Sequence, residues 1–224
     1  MKKYGGIMIA VEKWAELSLR WEKIGPAYQI PRRSFDRLRH FCDHCVPLLK
    51  DRKVLEIGCN AGIFGYCIDE VAASYTGVEP ALKVRDKTKK KPPKTDYFKQ
   101  AQITLEEMSL NAKFLNMTIP EFCRMENRPE FNTFVACFAL YHFMDKEIDD
   151  LVKYVFPKCD LVIIQNRCQD RPTPHNKYKF WKSKRVVKFF ESLGYSCEVI
   201  GAADSTGKQV FDEIICKRKN ANAD

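Results

Sequence analysis

Residues 54–65 read Val-Leu-Glu-Ile-Gly-Cys-Asn-Ala-Gly-Ile-Phe-Gly, and this stretch decides the fold. Its first four residues predict a short buried strand, which a glycine turn ends, and the apolar segment after the turn is long enough for a helix. A second strand, predicted at Tyr75–Glu79, ends in an acid. A strand, a glycine turn, a helix and a second strand that ends in an acid are typical of a nucleotide-binding βαβ unit.

The spacing of the glycines indicates which kind of nucleotide this unit binds. A dinucleotide fingerprint, Gly-x-Gly-x-x-Gly, would require glycine at Asn60 and at Ile63. Instead, Glu56 precedes the turn and the two glycines, Gly58 and Gly62, are four residues apart. This pattern resembles motif I of the class I S-adenosylmethionine (SAM)-dependent methyltransferases.

The resemblance extends over about Lys53–Arg218. It implies an α/β fold, a Rossmann-like three-layer sandwich. Its mostly parallel seven-stranded sheet ends in an antiparallel edge hairpin, and two N-terminal helices precede it. The resemblance also implies SAM as the cofactor, and an active SAM-dependent methyltransferase. The expected divisions are a helical extension over 1–50 on the lid or substrate side, a SAM-binding domain over 51–219 and a tail over 220–224. A Rossmann-like domain that binds no SAM is the alternative.

Segments of strand length and helix length alternate along the rest of the chain, which predicts helices on both faces of the sheet. The predicted strands are Lys53–Ile57, Tyr75–Glu79, Lys113–Asn116, Phe131–Phe138, Asp160–Gln165, Ser196–Ile200 and Val210–Lys217. The predicted helices are Met8–Lys23, Arg32–Leu49, Ala101–Leu110, Asp145–Val155 and Ser183–Leu193.

The cofactor is expected at the carboxyl ends of the strands, where ligands bind in such sheets. By the resemblance, Glu79 binds the ribose, and Glu56 and the turn lie near the methionine end. Family members often place an aspartate for the adenine amino group where Thr118 stands, and the threonine hydroxyl can also accept a hydrogen bond. The residues expected to contact SAM are Glu56, Gly58, Cys59, Asn60, Gly62, Glu79, Pro80, Met117, Thr118, Ile119 and Phe138.

The end of the predicted fourth strand is the place that lies beside the transferred methyl group in the family. It lacks the Asn-Pro-Pro-Tyr or Asp-Pro-Pro-Tyr sequence of amino-methyltransferases and carries Tyr141 and His142 instead. A histidine can take the proton of an attacking hydroxyl. We expect Tyr141 and His142 to be catalytic, with an oxygen acceptor. The alternative is that His142 caps or packs the following helix.

A basic, aromatic and proline-containing loop follows the predicted fifth strand. Such loops often carry specificity on a rigid scaffold. The residues expected to contact the substrate are Arg167, Arg171, His175, Tyr178 and Trp181. Packing of the aromatic residues over the sheet edge is an equal alternative.

The chain has 224 residues and a net charge of +9, and a run of lysine and arginine covers Lys83–Lys94. Such charge permits binding to phosphates, and the order of motifs loosely resembles methyltransferases of the tRNA wobble uridine. The basic run nevertheless lies away from the expected position of methyl transfer. We therefore favour a small-molecule or glycan-like acceptor, with RNA as the alternative and no membrane partner.

The ten cysteines predict a reduced, cytoplasmic protein. Several lie inside or beside apolar segments, where a free cysteine behaves as a small hydrophobic residue. We expect this of Cys59, Cys67, Cys137, Cys159, Cys197 and Cys216. Cys42 and Cys45 have the spacing of half a zinc site, but no second pair completes it. Helix packing explains them better, and we expect no metal.

Two other classes of protein remain as alternatives. The pair Tyr178 and Lys182 fits the Tyr-x-x-x-Lys pattern of short-chain dehydrogenases, but Phe64 stands where the glycine turn of that family requires its last glycine. A non-catalytic subunit with the SAM fold would often lack the turn glycines or the ribose acid. This chain retains both, which favours an enzyme.

Overall fold

The computed structural model describes residues 40–60, 62–80, 105–106, 108–167, 177–178, 180, 182–203 and 209–219. Within these ranges one seven-stranded sheet is formed, and each strand overlaps a predicted one. The strands are β1 (Lys53–Ile57), β2 (Ser74–Val78), β3 (Ala112–Leu115), β4 (Thr133–Cys137), β5 (Leu161–Arg167), β6 (Tyr195–Ala203) and β7 (Gln209–Arg218).

The strand order is β3-β2-β1-β4-β5-β7-β6. The pairs formed among β1 to β5 are parallel, whereas β7 runs antiparallel to both β5 and β6. The chain leaves β1 for β2 on one side and later returns to β4 on the other. Ligands bind at such a reversal in open α/β sheets. The predicted fold class, with its antiparallel edge hairpin, is confirmed.

The helices of the described ranges cover both faces of the sheet. They are α1 (residues 40–45), α2 (Ile63–Cys67), α3 (Ile119–Arg124), α4 (Asp145–Tyr154) and α5 (Ser183–Ser192), and residues 105–106 are helical as well. Alternation along each strand sends neighbouring side chains to opposite faces. In β1, Val54 packs in the core with α1 and α2, and Leu55 packs in the core with α3, α4 and α5.

The sequence predicted the helices less completely than the strands. The structure places helical residues at 40–45 and a 3₁₀ turn at Val46–Leu49 within the second predicted N-terminal helix. The helix predicted at Met8–Lys23 lies outside the described residues. Half of Ala101–Leu110 also lies outside them, and residues 108–110 are not helical.

One prediction about the cysteines is wrong. Cys197 and Cys216 form a disulfide rather than two free thiols. They are paired positions on the antiparallel strands β6 and β7, which brings their Cα atoms to 4.1 Å. Cys59, Cys67, Cys137 and Cys159 are free, as expected.

Among the described residues, no helix has both the length and the apolar character that crossing a membrane requires.

Candidate functional site

A cavity of about 550 Å³ opens at the carboxyl ends of the central parallel strands. Its wall combines residues at or after the ends of β1, β2, β3 and β4 with Gln165 of β5. The lining residues are Ile57, Gly58, Asn60, Glu79, Pro80, Ile119, Cys137, Phe138, Ala139, Tyr141, His142, Phe143, Glu147 and Gln165. The volume lies in the range of small-molecule and cofactor sites.

The turn after β1 approaches the segment after β4 too closely for a side chain at Gly58. The Gly58 backbone has a φ of +80°, and a Cβ atom there would lie 2.7 Å from the Cβ of Ala139. The Gly58 N–H donates to the carbonyl of Val78 at 2.8 Å, which joins the turn to the end of β2. Glycine is therefore required by both the conformation and the space.

Glu79 faces this turn from the end of β2. The backbone N–H of Asn60 donates to Glu79 Oε2 at 3.0 Å, with Asn60 itself at a φ of +48°. Burial raises the pKa of the Glu79 carboxyl, and the Asn60 N–H opposes that rise. A half-buried carboxylate on the cavity wall can accept hydrogen bonds from a pair of ligand hydroxyls.

Two other residues of the predicted turn lie behind the wall. Cys59 is buried, and its Sγ is near the place that a Cβ on Gly77 would occupy. Gly62 adopts a φ of +75° at the start of α2, and a Cβ there would lie 2.1 Å from the Phe114 ring. Both shape the turn, and neither is among the lining residues.

Glu56 lies beneath the turn rather than on the cavity wall. Its side chain is 2% exposed and accepts a 2.5 Å hydrogen bond from the Tyr75 hydroxyl. Burial raises its pKa to about 7, although hydrogen bonds from Tyr75 and Cys137 oppose the shift. The position predicted beside the methionine end is therefore a buried acid that supports the turn.

The raised pKa of Glu56 predicts a loss of stability with rising pH. The folded protein keeps this proton up to about pH 7, whereas the unfolded chain releases it near 4.5. The contribution to the free energy of unfolding therefore falls between these pH values, by at most about 3 kcal/mol (2.5 pKa units at ~1.36 kcal/mol each). Urea unfolding from pH 5 to 7.5 should show a flatter profile for Glu56→Gln than for the wild type.

The glutamine side chain in that variant still accepts a hydrogen bond from Tyr75, so packing is preserved. Glu213, whose pKa burial also raises to about 7, titrates in both proteins and cancels in the difference. Parallel profiles would show that Glu56 is already ionised in the folded protein at low pH.

The segment after β3, which leads into α3, contributes one wall residue. Ile119 lines the cavity, whereas Met117 packs against the core that the sheet forms with α3, α4 and α5. Thr118 is the N-cap of α3: its hydroxyl accepts from the Glu121 N–H at 3.4 Å and donates to Glu121 Oε2 at 3.0 Å. This capping box occupies the hydroxyl that was predicted to meet an adenine.

The segment after β4 forms the other end of the cavity. Phe138 has a φ of +53°, and its N–H donates to the Gln165 carbonyl at 2.9 Å. Tyr141 and His142 follow in a short 3₁₀ turn, with ring centroids 4.3 Å apart. Tyr141 is buried and His142 is exposed, and both line the cavity.

Tyr178 does not reach the cavity. Its ring stacks on Phe180 at 5.2 Å and meets Phe189 of α5, and its hydroxyl donates to Asp149 of α4. The packing alternative therefore describes Tyr178 better than substrate contact. Arg171, His175 and Trp181 lie outside the described residues, and Arg167 is the last residue of β5.

Sequence reasoning missed several wall residues. These are Ile57, Cys137, Ala139, Phe143, Glu147 and Gln165. Ile57, Cys137 and Gln165 lie at or near strand ends, so the same rule that selected Glu79 could have found them. Glu147 lies in the first turn of α4, where its carboxylate accepts from the Met144 N–H at 2.7 Å, and an acid there is explained by capping alone.

The fold is shared with solved structures of methyltransferases. Magnesium protoporphyrin IX methyltransferase (ChlM) from Synechocystis PCC 6803 with bound SAM is 12% identical, with a TM-score of 0.58 over 94% of this chain and 99% of that one. The methyltransferase domain of bacterial CtHen1-CN is 14% identical, with a TM-score of 0.55 over 81% and 97%. A putative RNA methyltransferase, PH1948 from Pyrococcus horikoshii, is 11% identical, with a TM-score of 0.56 over 83% and 86%.

No family model matches the sequence, and no curated protein matches it.

Proposed function

We propose that this chain, which has the class I methyltransferase fold, binds SAM in the cavity and transfers its methyl group to an acceptor. One observation carries the proposal: Glu79, a half-buried carboxylate at the end of β2, faces the Gly58 turn across the cavity wall. An acid at that place is suited to both hydroxyls of a ribose, and the glycine lets a ligand approach the backbone.

The wall residues suggest how SAM would be held. Glu79 would bind the ribose, Ile119 would contact the adenine, and the Gly58 turn would lie beside the methionine part. Tyr141 and His142, which line the cavity after β4, would then be nearest the methyl group. The carboxylates of Glu79 and Glu147 also favour a cationic ligand over an anionic one.

Methyl transfer in this arrangement is an in-line displacement at carbon. SAM would supply the methyl group: an acceptor oxygen would bond to the methyl carbon as the carbon–sulfur bond breaks, and the electron pair of the broken bond would remain on sulfur in S-adenosylhomocysteine (SAH). His142 takes the proton that the acceptor hydroxyl loses. Alignment of the acceptor with the methyl group supplies much of the rate acceleration, since the cavity holds both reactants.

A small-molecule or glycan-like hydroxyl compound fits the wall better than RNA. Among the described lining residues are two carboxylates and no lysine or arginine. A polyanion requires cations around it, because phosphate contacts supply most of its binding free energy. An uncharged acceptor has no such requirement.

Glu79→Ala should weaken the binding of SAH, because charge-assisted hydrogen bonds to the ribose are lost. The expected cost is about 1.5–3 kcal/mol, or roughly 10- to 150-fold in Kd by calorimetry. Glu130→Ala is the matched control, since Glu130 is an exposed acid that pairs with Lys53 at the opposite end of β1. Equal affinities for wild type and Glu79→Ala would show that SAH binds elsewhere.

The acceptor class is tested with radiolabelled SAM, total RNA and a metabolite extract. Label in small molecules supports the proposal. Label in RNA alone would mean that the acceptor is RNA, and the proposed cofactor site would stand. SAH binding with label in neither fraction favours a non-catalytic subunit.

A further inference from the structure

A second group of polar side chains lies outside the cavity lining. His40 and His44 are one helical turn apart on α1, and Glu213 is on β7. The His40 Nδ1–H donates to Glu213 Oε1 at 2.8 Å, and the His44 Nδ1–H donates to Glu213 Oε2 at 2.9 Å. One potential ligand atom from each residue lies within 4.8 Å of the others.

The helix packing fixes this arrangement. Phe41, Cys42 and Cys45 are fully buried against the sheet. Two residues four positions apart lie on the same side of a helix, so His40 and His44 project together over the edge strand pair. Their ring centroids are 4.4 Å apart.

Burial differs sharply within the group. The Glu213 side chain is 0% exposed, whereas those of His40 and His44 are 34% and 39% exposed. A buried carboxylate is costly unless charge or hydrogen bonds compensate it. Here the two imidazoles lie on the solvent side of the carboxylate. The carboxylate is therefore buried, whereas the rings are accessible to solvent.

We propose that His40, His44 and Glu213 bind a divalent transition metal ion of the zinc class. Imidazole nitrogen and carboxylate oxygen are the donor types that such ions take, and three protein ligands leave a fourth position open. The half-exposed rings place that position towards solvent. The ion takes the place of the two Nδ1 protons, and each neutral ring then carries its single proton on Nε2 instead, because histidine binds metal ions as neutral imidazole.

The site borders the cavity without sharing its lining residues. Glu213 is the register partner of Gln165, a wall residue on β5. Phe211 makes edge contacts with both His40, at 5.6 Å, and Phe138 of the cavity wall, at 5.9 Å. Metal binding can therefore be measured separately from cofactor binding.

The test uses the full chain, treated with a chelator and dialysed. Titration with Co²⁺, followed by its visible absorption, should give one ion per chain, and Zn²⁺ should displace it. His44→Asn and His40→Asn should each weaken binding by about tenfold or more, since each removes a ligand. His142→Asn is the control, because it removes a histidine outside the group, and should bind the ion as the wild type does.

Glu213→Gln should also lose the ion, and its folding is checked by circular dichroism. Because Glu213 is buried, the two half-exposed histidine variants decide the question if Glu213→Gln does not fold. Absence of stoichiometric binding by the wild type would overturn the proposal. Unchanged binding by the double variant His40→Asn/His44→Asn would do so as well, since the ion would then be held elsewhere.

Discussion

Gly58→Ala is expected to lower the free energy of unfolding by about 2–5 kcal/mol. A left-handed conformation costs an alanine about 1–2 kcal/mol, and overpacking of a closed contact costs about 1–3 kcal/mol more. The contact cannot relax by a side-chain rotation, because the atom 2.7 Å away is the Cβ of Ala139. Urea unfolding measures the loss.

Gly194→Ala is the matched control for this substitution. Gly194 has nearly the same φ, +84° against +80°, but no atom lies within 4 Å of the place that its Cβ would take. The Gly194→Ala variant should lose only the free energy that the left-handed conformation costs an alanine, about 1–2 kcal/mol. Equal losses in the two variants would mean that the turn after β1 moves away from Ala139 without cost.

His142→Ala is expected to lower the rate of methyl transfer by about 10²–10⁴-fold, the usual contribution of a positioned general base. The reason is that His142 lines the cavity beside Tyr141 and, in the proposed mechanism, takes the proton of the acceptor hydroxyl. SAH affinity should stay unchanged, because in the proposed site the ribose binds Glu79 at the other end of the cavity. The rate is measured with the acceptor that the labelling experiment identifies.

Two further variants are needed to interpret this result. Tyr141→Phe keeps the buried ring and removes only the hydroxyl, so any loss reports that group. Lys146→Ala changes an exposed residue of α4 outside the cavity lining and should keep the full rate. Full activity in both His142→Ala and Tyr141→Phe would remove these two residues from the mechanism.

Local sequence patterns determined the sheet and one edge of the site. Short apolar runs separated by turns predicted all seven strands, because a strand buried on both faces needs apolar side chains along its length. Gly58 and Glu79 were found because each follows a strand directly, and parallel strands bring their carboxyl ends together.

One short helix, α3, escaped the same reasoning. The described α3 has six residues, too few for a helical period to be recognised. The family resemblance therefore predicts a ligand contact at Thr118, although Thr118 and Glu121 have the spacing of a capping box. A segment of this length is specified by its cap as much as by its apolar face.

The sequence by itself determined the order of strands and helices, the glycine turn and the acid after β2. Only the tertiary structure decided which polar residues meet. It buried Glu56 against Tyr75, joined Cys197 to Cys216, and brought His40 and His44 to Glu213 across 169 or more positions of sequence. The physical reason is that propensity and periodicity act over a few residues. Burial, pKa and ligand geometry depend instead on neighbours that the packing of helices on the sheet supplies.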